Sequence, residues 1–354
     1  MAAEPIVEVE RLLREALARR GVTGDDAEFI VADLTDAQLE GKATHGVAKI
    51  FLIDSALAER QGEPVVRRRR PGMVLVDGRR ELGHLAGRLC ARLAVELASE
   101  GGTGLVSLTN AGRFGRLAPY GRLIADHGLV GFVTNNAGPP AVAPFGSRDP
   151  VLGTNPVCFA FPPPPPPPPP PGNAGNRANR ASLVIDLSTA ERVWGEVRGA
   201  VLEGRPLPPG AFLDQDGQPT RDAEKAAAVQ AFGGHKGSAL CLALELLCGA
   251  LSGGRMGREV DSEYDLGAIF LAVDPAALLP RDDPGAQERL VESIRGSRPA
   301  PGHQQVLVPG DRAAARRAAA LAAGVVDVHP ATMSRLRRMA RSDEGGLEPS
   351  DRLN

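Results

Sequence analysis

Apolar positions recur at helical spacing over Val7 to Arg20 and again over Asp25 to Leu39, with the capping types Thr23-Gly24-Asp25 between them. The chain is therefore expected to open with two helices. Met73 to Val76 is a short extended run ending at Asp77-Gly78, and Leu85 to Ser99 returns to helical spacing before Gly101-Gly102 stops it. A strand over Gly104 to Leu108, a loop at Asn110 to Gly115, a helix over Leu117 to His127 and a strand over Val130 to Thr134 read as a crossover unit. Ala239 to Leu251 is apolar enough for a buried helix, and further strands are predicted at Leu183 to Leu187, Ile269 to Val273 and Gln305 to Val308. Alanine- and arginine-rich helices over Arg312 to Ala323 and Pro330 to Arg341 close the pattern, followed by a polar tail from Ser342 that is expected to be loose. The sequence thus predicts a mixed α/β protein with helical ends.

Composition narrows the class. The 354 residues are 43% hydrophobic and 24% charged, enough for one large or two intertwined domains with an ample core. A formal net charge of −2 provides no field for nucleic acid or an anionic membrane. Arg67 to Arg70 are the local exception, and they read as an exposed loop before a strand. Cys90, Cys158, Cys241 and Cys248 form no C-x-x-C pair and are expected to be buried free thiols. The N-terminus carries Glu4, Glu8 and Glu10 rather than a basic and then apolar leader, and no run of 18 apolar residues occurs. A cytoplasmic protein is the expectation.

Ten prolines, Pro162 to Pro171, run into Gly172-Asn173-Ala174-Gly175-Asn176. Proline lacks the N–H a sheet needs, so an inserted polyproline II spur on the surface is predicted, with a ligand for a proline-binding module as the competing reading.

The candidate chemistry lies in glycine-rich settings. In Ala231-Phe232-Gly233-Gly234-His235-Lys236-Gly237 a lysine stands among three glycines directly before the apolar run. Free N–H groups and the helix dipole at that end favour an anion such as a phosphate; a plain glycine turn feeding a core helix is the bland reading. There is no G-x-G-x-x-G, no G-x-x-x-x-G-K-[ST] and no G-x-S-x-G, and the six histidines show no metal-ligand spacing, so no metal site is expected. Thr44-His45-Gly46, Gly153-Thr154-Asn155-Pro156 and Asp186-Leu187-Ser188-Thr189-Ala190 complete the set.

At these segments the chain resembles the type-2 malate/L-lactate dehydrogenase family, which includes ureidoglycolate and sulfolactate dehydrogenases and reductases of cyclic imino acids. Thr44 to Lys49 is similar to the family's S-H-G-V-x-R, Leu152 to Ala160 to its L-G-T-N-P-x-x-F-A, Asp186 to Ala190 to its D-M-A-T-S, Asp214 to Thr220 to its D-x-x-G-x-P-T, and Gly233 to Gly237 to its G-G-x-K-G. The resemblance implies a nicotinamide-binding mixed-sheet domain that is not a Rossmann fold, inserted between N- and C-terminal helical regions. The expected divisions are 1–72, 73–310 with a proline-rich insertion at 162–180, and 311–354. It also implies NAD or NADP as cofactor, a small-molecule substrate and a homodimer. Cofactor contacts are expected from Thr154, Asn155, Asp186, Ser188 and Lys236. For Asp186 an Asx turn or helix cap is an equal reading. His45 is expected near the substrate, with a pKa suited to proton transfer, or else as a histidine satisfied at a helix C-terminus. Thr44 and Lys49 are expected to bind substrate, Lys49 replacing an arginine and losing its bidentate fork.

Two departures stand out. Where the family commonly has N-S-x-H-F-G with its usual acid or base, this chain has Asn110-Ala111-Gly112-Arg113-Phe114-Gly115, and a guanidinium with pKa above ~12 does not exchange protons near neutrality. Arg113 is still expected to act in the site, binding an anion or polarising a carbonyl. Ala137 stands near a cofactor-contacting serine of relatives. Three readings follow: an NAD(P)-dependent oxidoreductase for a carboxylate-bearing 2-keto or 2-hydroxy acid or imine; an altered member that binds cofactor or partner without ordinary hydride transfer; and a proline-spur interaction protein.

Overall fold

A parallel strand pair needs a long crossover, and the stretch between residues 77 and 103 supplies it. Met73–Asp77 leads through the helix Gly83–Gly101 to Thr103–Ala111, and the strands pair in parallel with Val74 opposite Val106 and Val76 opposite Leu108. In this computed structural model, which describes residues 1–163, 182–278 and 285–341, that pair is part of a seven-stranded sheet. The strand order is Val65–Arg70, Met73–Asp77, Thr103–Ala111, Leu266–Val273, Val130–Asn135, Val157–Phe161, Leu183–Leu187, and every other pairing is antiparallel. Most of the proline run and the tail from Ser342 lie outside the described residues.

Helices cover both faces. Val106 and Leu108 pack with Cys90, Ala91 and Ala94 of Gly83–Gly101, and Tyr120 and Ile124 of Ala118–Asp126 join the same core. Residue 104 must be glycine, because a Cβ there would come within 2.1 Å of the Ala94 carbonyl. On the opposite face Ser107 Oγ donates to the Leu251 carbonyl at 2.7 Å, fixing the end of the helix His235–Ser252. All four cysteines are free and buried.

The predicted crossover unit is present: Thr103–Ala111 and Val130–Asn135, joined by the helix Ala118–Asp126, run parallel in one sheet, with Leu266–Val273 entering between them antiparallel to both. Two expectations are corrected. Arg67 to Arg70 are not a loop but part of the edge strand Val65–Arg70, where Arg67 pairs with Asp77 and Arg69 with Glu96. Charged side chains on an edge discourage pairing with another sheet. Gln305 to Val308 form no strand; the Val308 N–H instead donates to Asp311 Oδ2 at the start of the helix Asp311–Ala323.

A second layer joins the two ends of the chain. Ala2–Pro5 pairs antiparallel with Val325–Val328, and Val9, Leu13 and Leu17 of Ile6–Ala18 pack with Ile30 and Leu34 of Gly24–Leu39 and with Met333, Leu336 and Met339 of Pro330–Arg341. Gln38 ties this layer to the turn after His45. Its Oε1 accepts the Val47 N–H at 3.1 Å and its Nε2 donates to the Asp327 carbonyl at 2.7 Å. A Cβ at Gly46 would lie 2.2 Å from Gln38 Oε1. A small sheet of Pro219–Thr220, Phe212–Leu213, Ala228–Gln230 and Val142–Ala143 lies beside the lysine loop.

Candidate active site

Three of the sequence motifs meet. The Thr154 carbonyl accepts from the Thr189 N–H (3.1 Å), Thr189 Oγ1 (2.9 Å) and Ser188 Oγ (3.0 Å), and the Phe232 N–H donates to the Thr189 carbonyl at 3.0 Å. A bridge between Ala190 and Ala231 completes the seam. Gly153-Thr154-Asn155, Ser188-Thr189 and the lysine loop are therefore one unit.

Glycine is required in that loop. Gly233 and Gly234 have φ of 59° and 63°, and a Cβ on Gly237 would fall 1.7 Å from the Phe232 carbonyl. The helix then starts at His235, so the N–H groups of its first turn face outward with Lys236 exposed beside them. Phe145 of the preceding turn covers this end, its ring 5.9 Å from that of His235 and its N–H donating to Ser238 Oγ. The donor set suits the phosphates of a dinucleotide.

Asn155 serves this unit from behind. It is fully buried at φ 29°; Nδ2 donates to Glu245 Oε2 (2.7 Å) and to the Cys241 carbonyl (3.0 Å), and Oδ1 accepts the Ala137 N–H (3.2 Å). Its amide is spent inside the fold and is not presented to a ligand, unlike the expectation. Glu245, also buried, takes the Gly257 N–H at 2.8 Å on its other oxygen. The sequence reading missed this carboxylate, although its signal was present: it is the one charge within the apolar run Ala239 to Leu251. Asp186 points elsewhere as well. Its Oδ2 accepts the N–H groups of Leu117 and Ala118 at 3.0 and 2.9 Å, at the start of the helix Ala118–Asp126. Burial raises its pKa against the pull of the Ala118 N–H, Lys42 and Arg116.

The second half of the site is built on the helical layer. Thr44 and His45 form a short 3-10 turn, and Lys49 follows in the next one, Val47–Leu52. Thr44 Oγ1 lies 3.2 Å from His45 Nδ1, and Gly195, at the start of Gly195–Glu203, abuts Thr44 so closely that a Cβ would touch its Cγ2 at 3.6 Å. That helix carries Arg198. Arg113 reaches the same region and pairs with Glu263. Neither Arg198 nor Glu263 sits in a recognisable motif, and both were missed. Thr44, His45, Lys49 and Arg113 thus gather at one pole, while Thr154, Ser188 and Lys236 gather at the lysine loop.

Electrostatics separate the groups at this pole. Burial, with Lys49 nearby, lowers the His45 pKa to about 4, out of the range expected for a proton-transfer imidazole, so the ring is neutral at physiological pH. Burial and the guanidiniums of Arg113 and Arg198 lower Lys49 to about 8. Burial, and to a lesser degree Arg198, lowers Arg113 to about 10. Behind them a buried network holds the layers together: Arg116 Nε donates to Asp33 Oδ1 and its NH1 group to Glu40 Oε2, both at 2.6 Å, and His84 Nε2 faces Asp33 Oδ2 at 3.3 Å. Among the described residues no His, Cys, Asp and Glu group could hold a metal ion, and no helix is long and apolar enough to cross a membrane.

The chain matches the family described as malate/L-lactate dehydrogenase over residues 5–337. It is 32% identical over 356 residues to an L-lactate dehydrogenase of Cupriavidus necator, covering 95% of this chain and 97% of that one. It is 33% identical over 331 residues to a Delta(1)-pyrroline-2-carboxylate reductase of Pseudomonas fluorescens, covering 90% and 93%. The solved sulfolactate dehydrogenase of Methanocaldococcus jannaschii superposes with a TM-score of 0.82 at 26% identity, covering all of both chains.

Proposed function

This chain belongs to the malate/L-lactate dehydrogenase family, and from that membership we propose an NAD- or NADP-dependent oxidoreductase for a small carboxylate-bearing 2-keto or 2-hydroxy acid or cyclic imine. The observation that carries the substrate class is the meeting of Lys49, Arg113 and Arg198 beside a neutral His45. Three cations with Glu263 among them favour an anionic substrate. The nicotinamide supplies or takes the hydride. Lys236 and the first N–H groups of its helix hold phosphate, Thr154 and Ser188 line the cradle, and Thr44 with His45 orients the substrate between the two poles.

Absorbance at 340 nm with pyruvate, oxaloacetate, sulfopyruvate and Δ1-pyrroline-2-carboxylate, each with NADH and with NADPH, tests the reading. Turnover of at least one is expected. A second reading rests on Arg113 closing on Glu263: cofactor binding by calorimetry without turnover of any probe would favour an altered member.

Two further features belong to this reading. Leu240, Leu242, Leu246 and Leu251 are all exposed on His235–Ser252, which supports pairing of two copies; sedimentation as a monomer at micromolar concentration would remove that support. Four free, buried thiols suit the reducing cytoplasm.

A further inference from the structure

Arg113 and the Thr44-His45 turn stand on different layers, the first on the loop that leaves Thr103–Ala111, the second just after Gly24–Leu39. Arg116, on the same loop as Arg113, crosses between them. Its Nε donates to Asp33 Oδ1 and its Nη1 to Glu40 Oε2, both at 2.6 Å, and its Nη2 donates to the Asp33 carbonyl at 3.2 Å. Arg116, Asp33 and Glu40 are all buried. Glu40 is held also by Lys42, whose carbonyl accepts the His45 N–H at 2.9 Å. The Arg88–Asp26 and Arg60–Glu81 pairs also join the two layers, but each has an exposed partner.

Between Arg116 and Arg113 the loop is held at every residue. Tyr120 Oη donates to the Phe114 carbonyl at 2.8 Å, and the Gly112 N–H donates to the Glu81 carbonyl at 3.2 Å. Gly83 makes room for the Arg113 carbonyl, which a Cβ there would approach to 2.1 Å. Gly115, at φ 75°, passes so near His84 that a Cβ would stand 3.1 Å from Nε2, the atom that faces Asp33 Oδ2 at 3.3 Å. A displacement at Arg116 is therefore carried to Arg113. On the other side, a displacement of Glu40 is carried through Lys42 to the His45 backbone.

We propose that Arg116 is a positioning residue: by gripping Asp33 and Glu40 it sets the distance and angle between Arg113 and the Thr44-His45 turn, and so the pose in which the substrate meets the nicotinamide. The inference rests on the hydride-transfer reading above. Arg116 itself is enclosed by its two carboxylates and acts through the segments it joins. A planar guanidinium suits this task, because its fork fixes the directions of both partners as well as their spacing. A buried ion cluster is a poor source of stability, since neutral side chains of similar volume often replace it without loss. Its value here is geometric. A misplacement of about 1 Å between reacting groups costs on the order of 100-fold in rate.

The experiment removes all three charges together, Asp33→Asn, Glu40→Gln and Arg116→Met, so that no buried carboxylate is stranded. The fold is expected to survive, with a melting temperature within about 5 °C of wild type. Dinucleotide affinity by calorimetry should stay within about twofold, because the Lys236 cradle lies at the other pole. On whichever probe of the panel above turns over, kcat/KM should fall about 100-fold. Wild-type kcat/KM overturns the inference. So does a fall in kcat/KM matched by an equal fall in dinucleotide affinity or in folded fraction, which is what a merely structural network gives. Should the triple variant not fold, Arg116→Lys takes its place: one ammonium keeps the charge but not the two-way fork, so about tenfold lower kcat/KM is expected and wild-type kinetics overturns the inference. Hydrogen exchange reads the same variants without turnover. Peptides covering residues 41–49 and 110–116 should exchange about tenfold faster than in wild type while those covering Leu266–Val273 are unchanged, and unchanged exchange in both segments overturns the inference. Absence of wild-type turnover with every probe overturns the hydride-transfer reading, and the exchange result then stands for or against the clamp by itself.

Discussion

The two poles of the site are built on opposite principles. Around Thr154 and Ser188 the polar groups bond to one another: Asn155 reaches Glu245, Cys241 and Ala137, and Thr189 Oγ1 bridges the carbonyls of Thr154 and Asn155. Around Lys49 stand the guanidiniums of Arg113 and Arg198, and Arg113 answers Glu263 at a pair that is more than a third exposed on the arginine side. A saturated network of buried bonds fixes shape, and changing it costs stability. A half-exposed cluster of cationic side chains attracts an incoming ligand of the other sign, and changing it costs affinity.

The sharpest way to break this contrast is Asn155→Leu. It leaves the buried Glu245 carboxylate without its amide, and unfolding in urea should show a loss of about 3–5 kcal/mol. A loss below about 1 kcal/mol would mean that the cradle is no more interlocked than the opposite pole. Arg113→Ala should do the reverse. We expect KM for the substrate to rise by ten- to a hundredfold, about 1.4–2.7 kcal/mol, with stability within about 0.5 kcal/mol of wild type. Arg113→His should not improve turnover, because the surrounding charges suit a guanidinium. Wild-type kinetics in Arg113→Ala would place that residue outside the site.

Lys236→Ala bears on the exposed rim of the cradle, where affinity rather than stability should respond. Calorimetry should show about tenfold weaker dinucleotide binding and an unchanged melting temperature; affinity unchanged from wild type for both NADH and NADPH would remove Lys236 from the site. The smallest effect concerns acid. His45 is neutral in the folded protein down to about pH 4, while the unfolded chain takes up a proton near its ordinary 6.5. Stability from this residue is therefore intact above 6.5 and declines as pH falls toward 4, by about 1 kcal/mol after allowing for its partial exposure. His45→Gln should flatten that decline, and an unchanged slope between pH 6.5 and 4 would show that the ring is not desolvated as described.

How much of this was legible depends on whether a residue's reason lies nearby in the chain. The glycines of the lysine loop and the small polar groups of Thr154 and Ser188 announce a backbone requirement, and the structure places that requirement where the motifs lie. Asp186 shows the limit. Its carboxylate serves backbone groups 68 and 69 residues earlier, and no local pattern distinguishes such a cap from a ligand contact. The same holds for Leu266–Val273, whose insertion between two strands made more than 130 residues earlier is a matter of sheet pairing rather than periodicity. Four-residue strands at Ala2–Pro5 and Val325–Val328 are too short to show a period at all. Arg198 and Glu263 reach the site from segments without a motif, and only the packing of Gly195 on Thr44 and the pairing with Arg113 bring them there.

During synthesis Ala2–Pro5 leaves the ribosome more than 300 residues ahead of its partner, Val325–Val328, and pairs only once that strand has been made. Until then Gln38 lacks the Asp327 carbonyl, and the two opening helices lack the cover of Met333, Leu336 and Met339. The large sheet, whose last strand ends at Val273, has all its strands earlier. Contacts of such long sequence separation form late. The platform under His45 and Lys49 is thus completed late, and a chain cut short before Val325 would retain every residue of its active site on a layer held to the sheet by the Arg116 network but stripped of its helical cover.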